Sequence, residues 1–289
     1  MSKSPLVSIC IPTYNGASYI EEAMNSAIAQ TYTNLEIVVS DDASTDATLD
    51  LIEGYRKKTK VAITILRHQP NGISANWNHS IKHAKGKYIK FLFQDDVLEP
   101  SCIKKMVDAF TVDENIGLVC SKRHIITTVD NSFTKNWIAS FKNLQCNLPV
   151  DENDFDVMDG KDILKAPYFK KKPINIIGEP VAVMFKKSAI PVVGFFDEAM
   201  FQLVDYEYWL RFFKYYKIGF LKEPLAGFRL HLNQMSFLNN KNKLNDHDLY
   251  YKMLYKRYFW FLHHNFRWFL LKRYFVLFKV YRKLKTLKK

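Results

Sequence analysis

Leu35-Glu-Ile-Val-Val-Ser40 runs straight into Asp41-Asp42, and Tyr88-Ile-Lys-Phe-Leu-Phe93 runs into Gln94-Asp95-Asp96. Each is an apolar run that ends on adjacent carboxylates. Like charges side by side repel, so a pair at the mouth of a strand is costly unless a cation, a base or a sugar hydroxyl binds there. Two such pairs at two strand ends imply one shared site.

Around these runs the first 120 residues alternate short β-branched stretches with helical patterns. Residues 6–11, 35–40, 62–66, 88–93 and 116–120 read as strands, and 18–29, 47–58, 74–84 and 101–110 as helices. Thr45 or Asp46 and Pro100 stand near helix starts. Repeated βαβ predicts an α/β fold with right-handed crossovers and a mostly parallel central sheet covered by helices on both faces. Ligands of such a sheet bind at the carboxyl ends of its strands. From 127 to 173 the pattern weakens, which predicts an excursion over the active face, with an ordinary surface connection as the alternative. Regular structure then returns with a strand at 181–185, a helix at 205–216, and strands at 218–221 and 225–230.

The chain has 289 residues and a net charge of +13. After Asp248 there are twelve Lys and Arg and no Asp or Glu, leaving 30 basic and 29 acidic residues in 1–248. A basic groove across the body is therefore not expected, and neither is a nucleic-acid partner for it; any anionic partner belongs to the tail. Cys10, Cys102, Cys120 and Cys146 show no Cys-x-x-Cys spacing, and no basic and apolar leader precedes the first strand. A reducing cytoplasmic setting is the expectation, without disulfides or a cysteine zinc site.

At the first strand end, Ile11-Pro12-Thr13-Tyr14-Asn15-Gly16 stops the ladder with proline and turns polar residues toward the crevice. Asp42 stands where a nucleotide base or ribose lies in a doubly wound sheet, while Ser44 or Asp46 has the competing task of capping the next helix. Asp95 and Asp96 suit a hard cation such as Mg²⁺ or Mn²⁺, which takes carboxylate oxygens and keeps places for substrate phosphates.

Taken in order, Ser8-Ile-Cys-Ile-Pro-Thr-Tyr-Asn15, Glu36-Ile-Val-Val-Ser-Asp-Asp-Ala-Ser-Thr-Asp46, Asn71-Gly72 with Asn76 and Asn78, and Ala84-Lys-Gly-Lys-Tyr-Ile89 leading to Asp95-Asp96 resemble the inverting glycosyltransferases of family 2, which have the GT-A fold. The resemblance extends from Leu6 to about His231 through Gly178-Glu-Pro180, Gly194-Phe-Phe-Asp197 and Val204-Asp-Tyr-Glu-Tyr-Trp-Leu-Arg211. It implies a nucleotide-diphosphate sugar donor, with a UDP-sugar favoured. Pro12, Tyr14, Asn15, Asp41, Asp42, Asn76 and Asp95 would be donor residues, and Asp96 with Asp95 would hold a divalent cation, Mn²⁺ or Mg²⁺. Family members often carry Asp-x-Asp-Asp at the metal strand, whereas this chain has Phe93 at the first position. Asp205 aligns with the catalytic base, and because Val204 replaces the usual first acid of that pair, Glu207 is the rival. Glu179 could hydrogen-bond an acceptor sugar or pair with Arg211 or Arg229, and Arg229 and His231 could contact the diphosphate or be ordinary surface residues.

These expectations divide the chain into a catalytic domain at 1–240, with a nucleotide-sugar half at 1–122 and an acceptor half at 123–240, and a helical basic and aromatic tail at 241–289. In the tail, Arg257, Lys272, Lys279, Arg282 and Lys283 share a sector of roughly 100° on a helical projection. No uncharged run approaches the roughly 20 apolar residues of a spanning helix, so the tail is expected to lie on an anionic membrane surface, with packing against the body as the alternative. His264-Asn-Phe-Arg-Trp268 is a near miss to the Gln-x-x-Arg-Trp motif of processive synthases; single transfer to a glycan or lipid-linked glycan acceptor is preferred. A sugar-phosphate nucleotidyltransferase is the runner-up enzyme, although no Gly-rich phosphate loop follows the first strand. A non-catalytic module that binds nucleic acid or protein through the tail is the other alternative.

Overall fold

The computed structural model describes residues 4–145, 154–166, 175–234, 237, 246–276 and 278. Cys146, the acidic run from Asp151 to Asn153, Lys170 to Lys172, and the tail basic residues from Lys279 onward lie outside the described residues.

The first half follows the βαβ expectation. Strands β1 (Val7–Thr13), β2 (Leu35–Asp41), β3 (Ala62–Arg67) and β4 (Tyr88–Phe91) alternate with helices α1 (Ile20–Ile28), α2 (Thr48–Lys58) and α3 (Ile73–His83). They pair in parallel in the order β3-β2-β1-β4. In β1, Val7, Ile9 and Ile11 enter one apolar cluster and Cys10 enters the cluster on the opposite face, the period-two signature of a strand buried on both sides. Gly86 sits in the turn before β4 because a Cβ there would lie 2.5 Å from the Ser8 amide nitrogen.

The second half is mixed, which narrows the parallel expectation to those four strands and one further pair, β6 with β9. Its elements are β5 (Val97–Leu98), α4 (Cys102–Ala109), β6 (Ile116–Ile126), α5 (Ser132–Phe141), β7 (Phe155–Asp159), α6 (Gly160–Lys165), β8 (Val183–Lys186), α7 (Ile190–Val193), α8 (Val204–Tyr215) and β9 (Lys217–Arg229). The sheet has nine strands in the order β3-β2-β1-β4-β8-β6-β9-β5, with β7 on β9. Strand β8 inserts antiparallel between β4 and β6, and β6 runs parallel to β9. The two strands expected at 218–221 and 225–230 are one strand, because β9 absorbs Lys222 and Glu223, and then Leu225, in two register shifts against β6 while Pro224 stays opposite Lys122. The excursion is likewise more regular than its sequence suggests: β7 pairs with β9 and α6 packs on α8.

Beyond β9 come α9 (His247–Met253), a π-helical turn (Leu254–Tyr258) and α10 (His264–Tyr274). Tyr250, Leu254, Tyr258, Leu262, Phe266 and Leu270 are buried in the same cluster as Tyr208, Trp209, Phe212 and Phe213 of α8. One face of the tail thus completes the core of the acceptor half. Among the described residues no helix is long and apolar enough to cross a membrane.

Candidate active site

At the end of β1 and β2 the chain builds a rigid corner. Asp41 is fully buried and its Oδ2 accepts from Thr13 Oγ1 (2.8 Å) and Ser44 Oγ (2.6 Å), while Oδ1 accepts from the Ser44 amide (2.9 Å). Its oxygens are committed to holding the turn. Asn15 and Ala43 adopt left-handed φ of 47° and 62°, and Asn15 Oδ1 accepts from the Thr45 amide at 2.8 Å. Asn76, buried on α3, donates to the Thr13 carbonyl at 3.3 Å, and its Oδ1 lies 3.1 Å from His68 Nε2. Pro12 is buried within β1, and Tyr14 is exposed.

Asp42 differs from its neighbour. It is only partly covered, its Oδ1 has no hydrogen-bond partner among the described residues, and His68 Nε2 stands 3.5 Å away. Burial pushes its carboxyl above the usual range, opposed by His68. A group offering a donor here would satisfy it.

Gln94 joins the end of β4 to the turn after β1. Its side-chain amide pairs with the Tyr14 backbone in both directions, accepting at 2.9 Å and donating at 3.0 Å. The next two residues separate in role. Asp95 Oδ2 lies 2.9 Å from His231 Nε2, and the Asp95 carbonyl accepts from Arg229 Nε at 2.8 Å. Asp96 is 1% exposed; its Oδ1 accepts from the Arg229 amide at 2.8 Å and its Oδ2 is buried without a hydrogen-bond partner among the described residues. Burial, then the Asp95 charge, raises the Asp96 carboxyl well above the usual range. An orphaned buried carboxylate oxygen fits a divalent cation, which would offset both effects. Among the described residues no three His, Cys, Asp or Glu side chains are grouped to hold a metal ion by themselves, so a bound diphosphate would have to supply further oxygens. At the position of the missing acid, the Phe93 ring packs 5.0 Å from that of Trp77.

The acceptor half supplies two more carboxylates. Glu179 pairs with Arg123 of β6, through Oε2 to Nε and through Oε1 to Nη2 at 3.0 Å, rather than with Arg211 or Arg229. Arg123 also donates to the Phe141 and Lys142 carbonyls, fixing the end of α5, and lies over the Trp137 ring. Asp205, in the first turn of α8, accepts from Asn175 Nδ2 at 3.0 Å and from the Tyr206 amide at 2.9 Å. Its carboxyl is pushed up to about 8, by burial first and then by the charge of Glu179. The Glu179 charge is felt at Asp96 as well, so Asp96, Glu179 and Asp205 form one electrostatic neighbourhood. Glu207 faces the other way: it is buried and both oxygens are held by Arg211 at 2.8 and 2.5 Å. Arg229 donates to Glu22 and lies over the Tyr19 ring.

Arg123, His68, Gln94 and Asn175 were not singled out in the sequence, since none belongs to a motif and each is recruited by folding from a different element. Asn78 has a structural task, bonding both ways to Phe196 (2.9 and 3.0 Å) and so tying α3 to the loop before α8.

A mixed α/β sheet with carboxylates at the carboxyl ends of β2 and β4 and an acidic first turn on a distal helix is the GT-A class. The chain matches the model of Glycosyl transferase family 2 over residues 8–171. It belongs to that family. An uncharacterized glycosyltransferase of Rickettsia prowazekii is 33% identical over 235 residues, covering 80% of this chain and 66% of that protein. A hyaluronan synthase of Pasteurella multocida is 39% identical over 121 residues, 41% of this chain and 12% of the synthase. The chain thus spans just under two thirds of the first relative's length and far less of the synthase. Among solved structures, S. aureus TarS 1-349 in complex with UDP-GlcNAc superposes with a TM-score of 0.60 at 17% identity, covering 85% of this chain and 75% of that one. The mannosyltransferase PcManGT from Pyrobaculum calidifontis, in complex with GDP-Man and Mn²⁺, gives 0.58 at 18% identity, covering 81% and 59%.

Proposed function

We propose that the chain is an inverting glycosyltransferase that moves one sugar from a nucleotide-diphosphate sugar, a UDP-sugar in first place, to a hydroxyl of a glycan or lipid-linked glycan in surface polysaccharide biosynthesis. The observation that carries this reading is the shared neighbourhood of Asp96, Glu179 and Asp205, with Asp205 poised near 8. Direct displacement with inversion needs one carboxylate to take the acceptor hydroxyl proton while the diphosphate leaves from the opposite face. Asp205 suits the proton acceptor because its shifted carboxyl brings proton affinity close to working pH; Glu207 is locked to Arg211. Asp42, with an unsatisfied oxygen, suits the base or ribose of the donor, beside Tyr14 and the Asn15 turn.

Asp96, with Asp95 beside it, would hold Mn²⁺ or Mg²⁺, which when bound supplies charge neutralisation for a departing diphosphate. Arg229 and His231 brace both aspartates from β9 and the residues after it. Glu179, held by Arg123, presents the acceptor side with a fixed carboxylate. The neighbours' nucleotide-sugar complexes support the donor class. The exposed basic and aromatic side of the tail supports a peripheral seat on the cytoplasmic face of a membrane.

A screen of UDP-, GDP- and TDP-sugars with Mn²⁺ or Mg²⁺, read by release of nucleoside diphosphate, tests the reading. Formation of nucleotide sugar and pyrophosphate from a nucleoside triphosphate and a sugar 1-phosphate, with no nucleoside diphosphate released from any donor, would instead indicate a nucleotidyltransferase. Asp205→Asn is expected to lower transfer by roughly 10²–10⁴-fold with donor affinity nearly unchanged; full activity in that variant would remove Asp205 from the role.

A further inference from the structure

The chain beyond the sheet reaches back to the loop that launches α8. Asp246 occupies the N-cap position of α9, yet its side chain makes no cap there. Its Oδ2 accepts instead from three consecutive amides of that loop, Phe201 (2.9 Å), Gln202 (2.9 Å) and Leu203 (3.1 Å). Asp246 is 5% exposed. Leu203 is the N-cap residue of α8 and offers no side-chain acceptor, and its amide, with those of the two residues leading into the helix, is met from more than forty residues away in sequence. The carboxylate also faces the positive end of the α8 dipole. One turn further along α9, Tyr250 lines a small enclosed space with Asn175, Tyr206 and Trp209. Asn175 is the side chain that holds Asp205 Oδ2.

We infer that Asp246 is a positioning residue for the transfer reaction: by clamping the amides of 201–203 it fixes the first turn of α8 and thereby the direction in which Asp205 presents its carboxylate. This rests on Asp205 being the proton acceptor. A carboxylate serves better than a neutral cap because one oxygen must collect three N–H groups inside the protein, and an ionised acceptor makes the stronger bonds. The donor end of the crevice is built from β1, β2 and β4, which Asp246 does not touch. Loss of the clamp should therefore disturb proton removal and spare donor binding.

The test compares Asp246→Ala, Asp246→Asn, Asp205→Asn and the Asp205→Asn/Asp246→Ala double variant in the full chain, by nucleoside diphosphate release from the UDP-, GDP- and TDP-sugar panel with Mn²⁺. Asp246→Ala is expected to lower kcat by roughly 10–100-fold with donor KM within about twofold, as a small misaiming of a reacting group does. Asp246→Asn, which keeps an acceptor oxygen, should recover most of that loss, and the double variant should be no slower than Asp205→Asn alone. Hydrogen exchange should quicken at 201–206 in Asp246→Ala and stay unchanged in β1 to β4. If Asp246→Ala does not fold, Asp246→Glu, which displaces the oxygen by one methylene, provides the same comparison. An unaltered kcat in Asp246→Ala beside an inactive Asp205→Asn overturns the inference, as does a loss that falls equally on donor KM or is not recovered by Asn. Full turnover in Asp205→Asn, or no release by the unaltered chain from any donor, overturns the functional reading itself.

Discussion

Two carboxyl groups held above their usual range give residue-scale predictions of opposite kinds. Asp205 has a folded-state value of about 8 against an ordinary 3.8. Between those values the folded protein binds more proton than the unfolded chain, so this residue's contribution to stability falls as pH rises from about 4 to about 8. Asp205→Asn removes that penalty. The variant is expected to melt higher than the unaltered chain, by a margin that is small at pH 5 and grows toward pH 8, while transfer is lost; a margin independent of pH in thermal melts would contradict the assignment. The same shift makes transfer rise with pH on an acid limb near 8, since the base works only when deprotonated. Asp96 is the second case: burial and Asp95 raise its carboxyl, and a cation would bring it down. Added Mn²⁺ should therefore raise the melting temperature of the unaltered chain, with EDTA reversing the effect, and should leave Asp96→Ala unmoved. The carboxylates were legible because apolar runs ended on them. Their partition was not: Asp41 and Asp42 are adjacent and identical in type, and only folding shows that Thr13 and Ser44 consume the first while the second keeps a buried oxygen with no hydrogen-bond partner among the described residues.

Elements were readable where their signal is local. Strands β1 to β4 and the helices between them carry their own periodicity and turn residues, and β1, β2 and β3 pair in chain order while β4 returns to the free side of β1. In the acceptor half the pairing is non-local. β8 separates β4 from β6, and nothing in the sequence of 183–186 specifies which two strands it divides. β7 is only half-buried along its length, so its alternation is faint and the excursion reads as loop. Its junction with α6 is nonetheless tightly set, because a Cβ at Gly160 would lie 2.3 to 2.7 Å from the Phe213 backbone near the end of α8. Backbone cannot swing aside as a side chain can. Gly160→Ala is expected to cost about 1–3 kcal/mol by forcing α6 away from α8, read as a shift of the denaturant midpoint with an unchanged slope. Gly16 provides the contrast: its added Cβ would meet the end of the Gln94 side chain, which can rotate. Gly16→Ala should leave stability closer to that of the unaltered chain and raise donor KM, because the Gln94 amide would have to leave the Tyr14 backbone it now brackets.

At the scale of the whole molecule, charge and apolar surface are sorted along the chain. Residues before the tail nearly balance, and all twelve Lys and Arg after Asp248 come without an acid. The tail is also two-sided: Tyr250, Leu254, Tyr258, Phe266 and Leu270 close the core over α8, while Trp260 is 78% exposed, Trp268 50% and Phe275 41%. A cleft of about 710 Å³ between the π-helical turn and α10 is lined by Trp260, Phe261 and Trp268 together with Lys256, Arg257 and Arg267. Exposed indoles flanked by cations suit the boundary of an anionic bilayer, where rings enter the headgroup layer and each basic residue near the surface adds about 1 kcal/mol. The packing of the inner face decides how this should be tested. Removing residues 246–289 would strip side chains from the core and the Asp246 clamp with them, so loss of turnover in such a truncation would say nothing about membranes. Substituting the outer face avoids this. Trp260→Ala with Trp268→Ala is expected to abolish co-sedimentation with vesicles of phosphatidylglycerol and phosphatidylcholine while nucleotide-sugar turnover in solution persists. The unaltered chain should bind those vesicles, ignore pure phosphatidylcholine, and release as salt rises from 0.1 to 1 M, where the screening length contracts from about 10 Å to about 3 Å. Equal binding to both vesicle types, or binding indifferent to salt, would contradict an electrostatic seat for the tail.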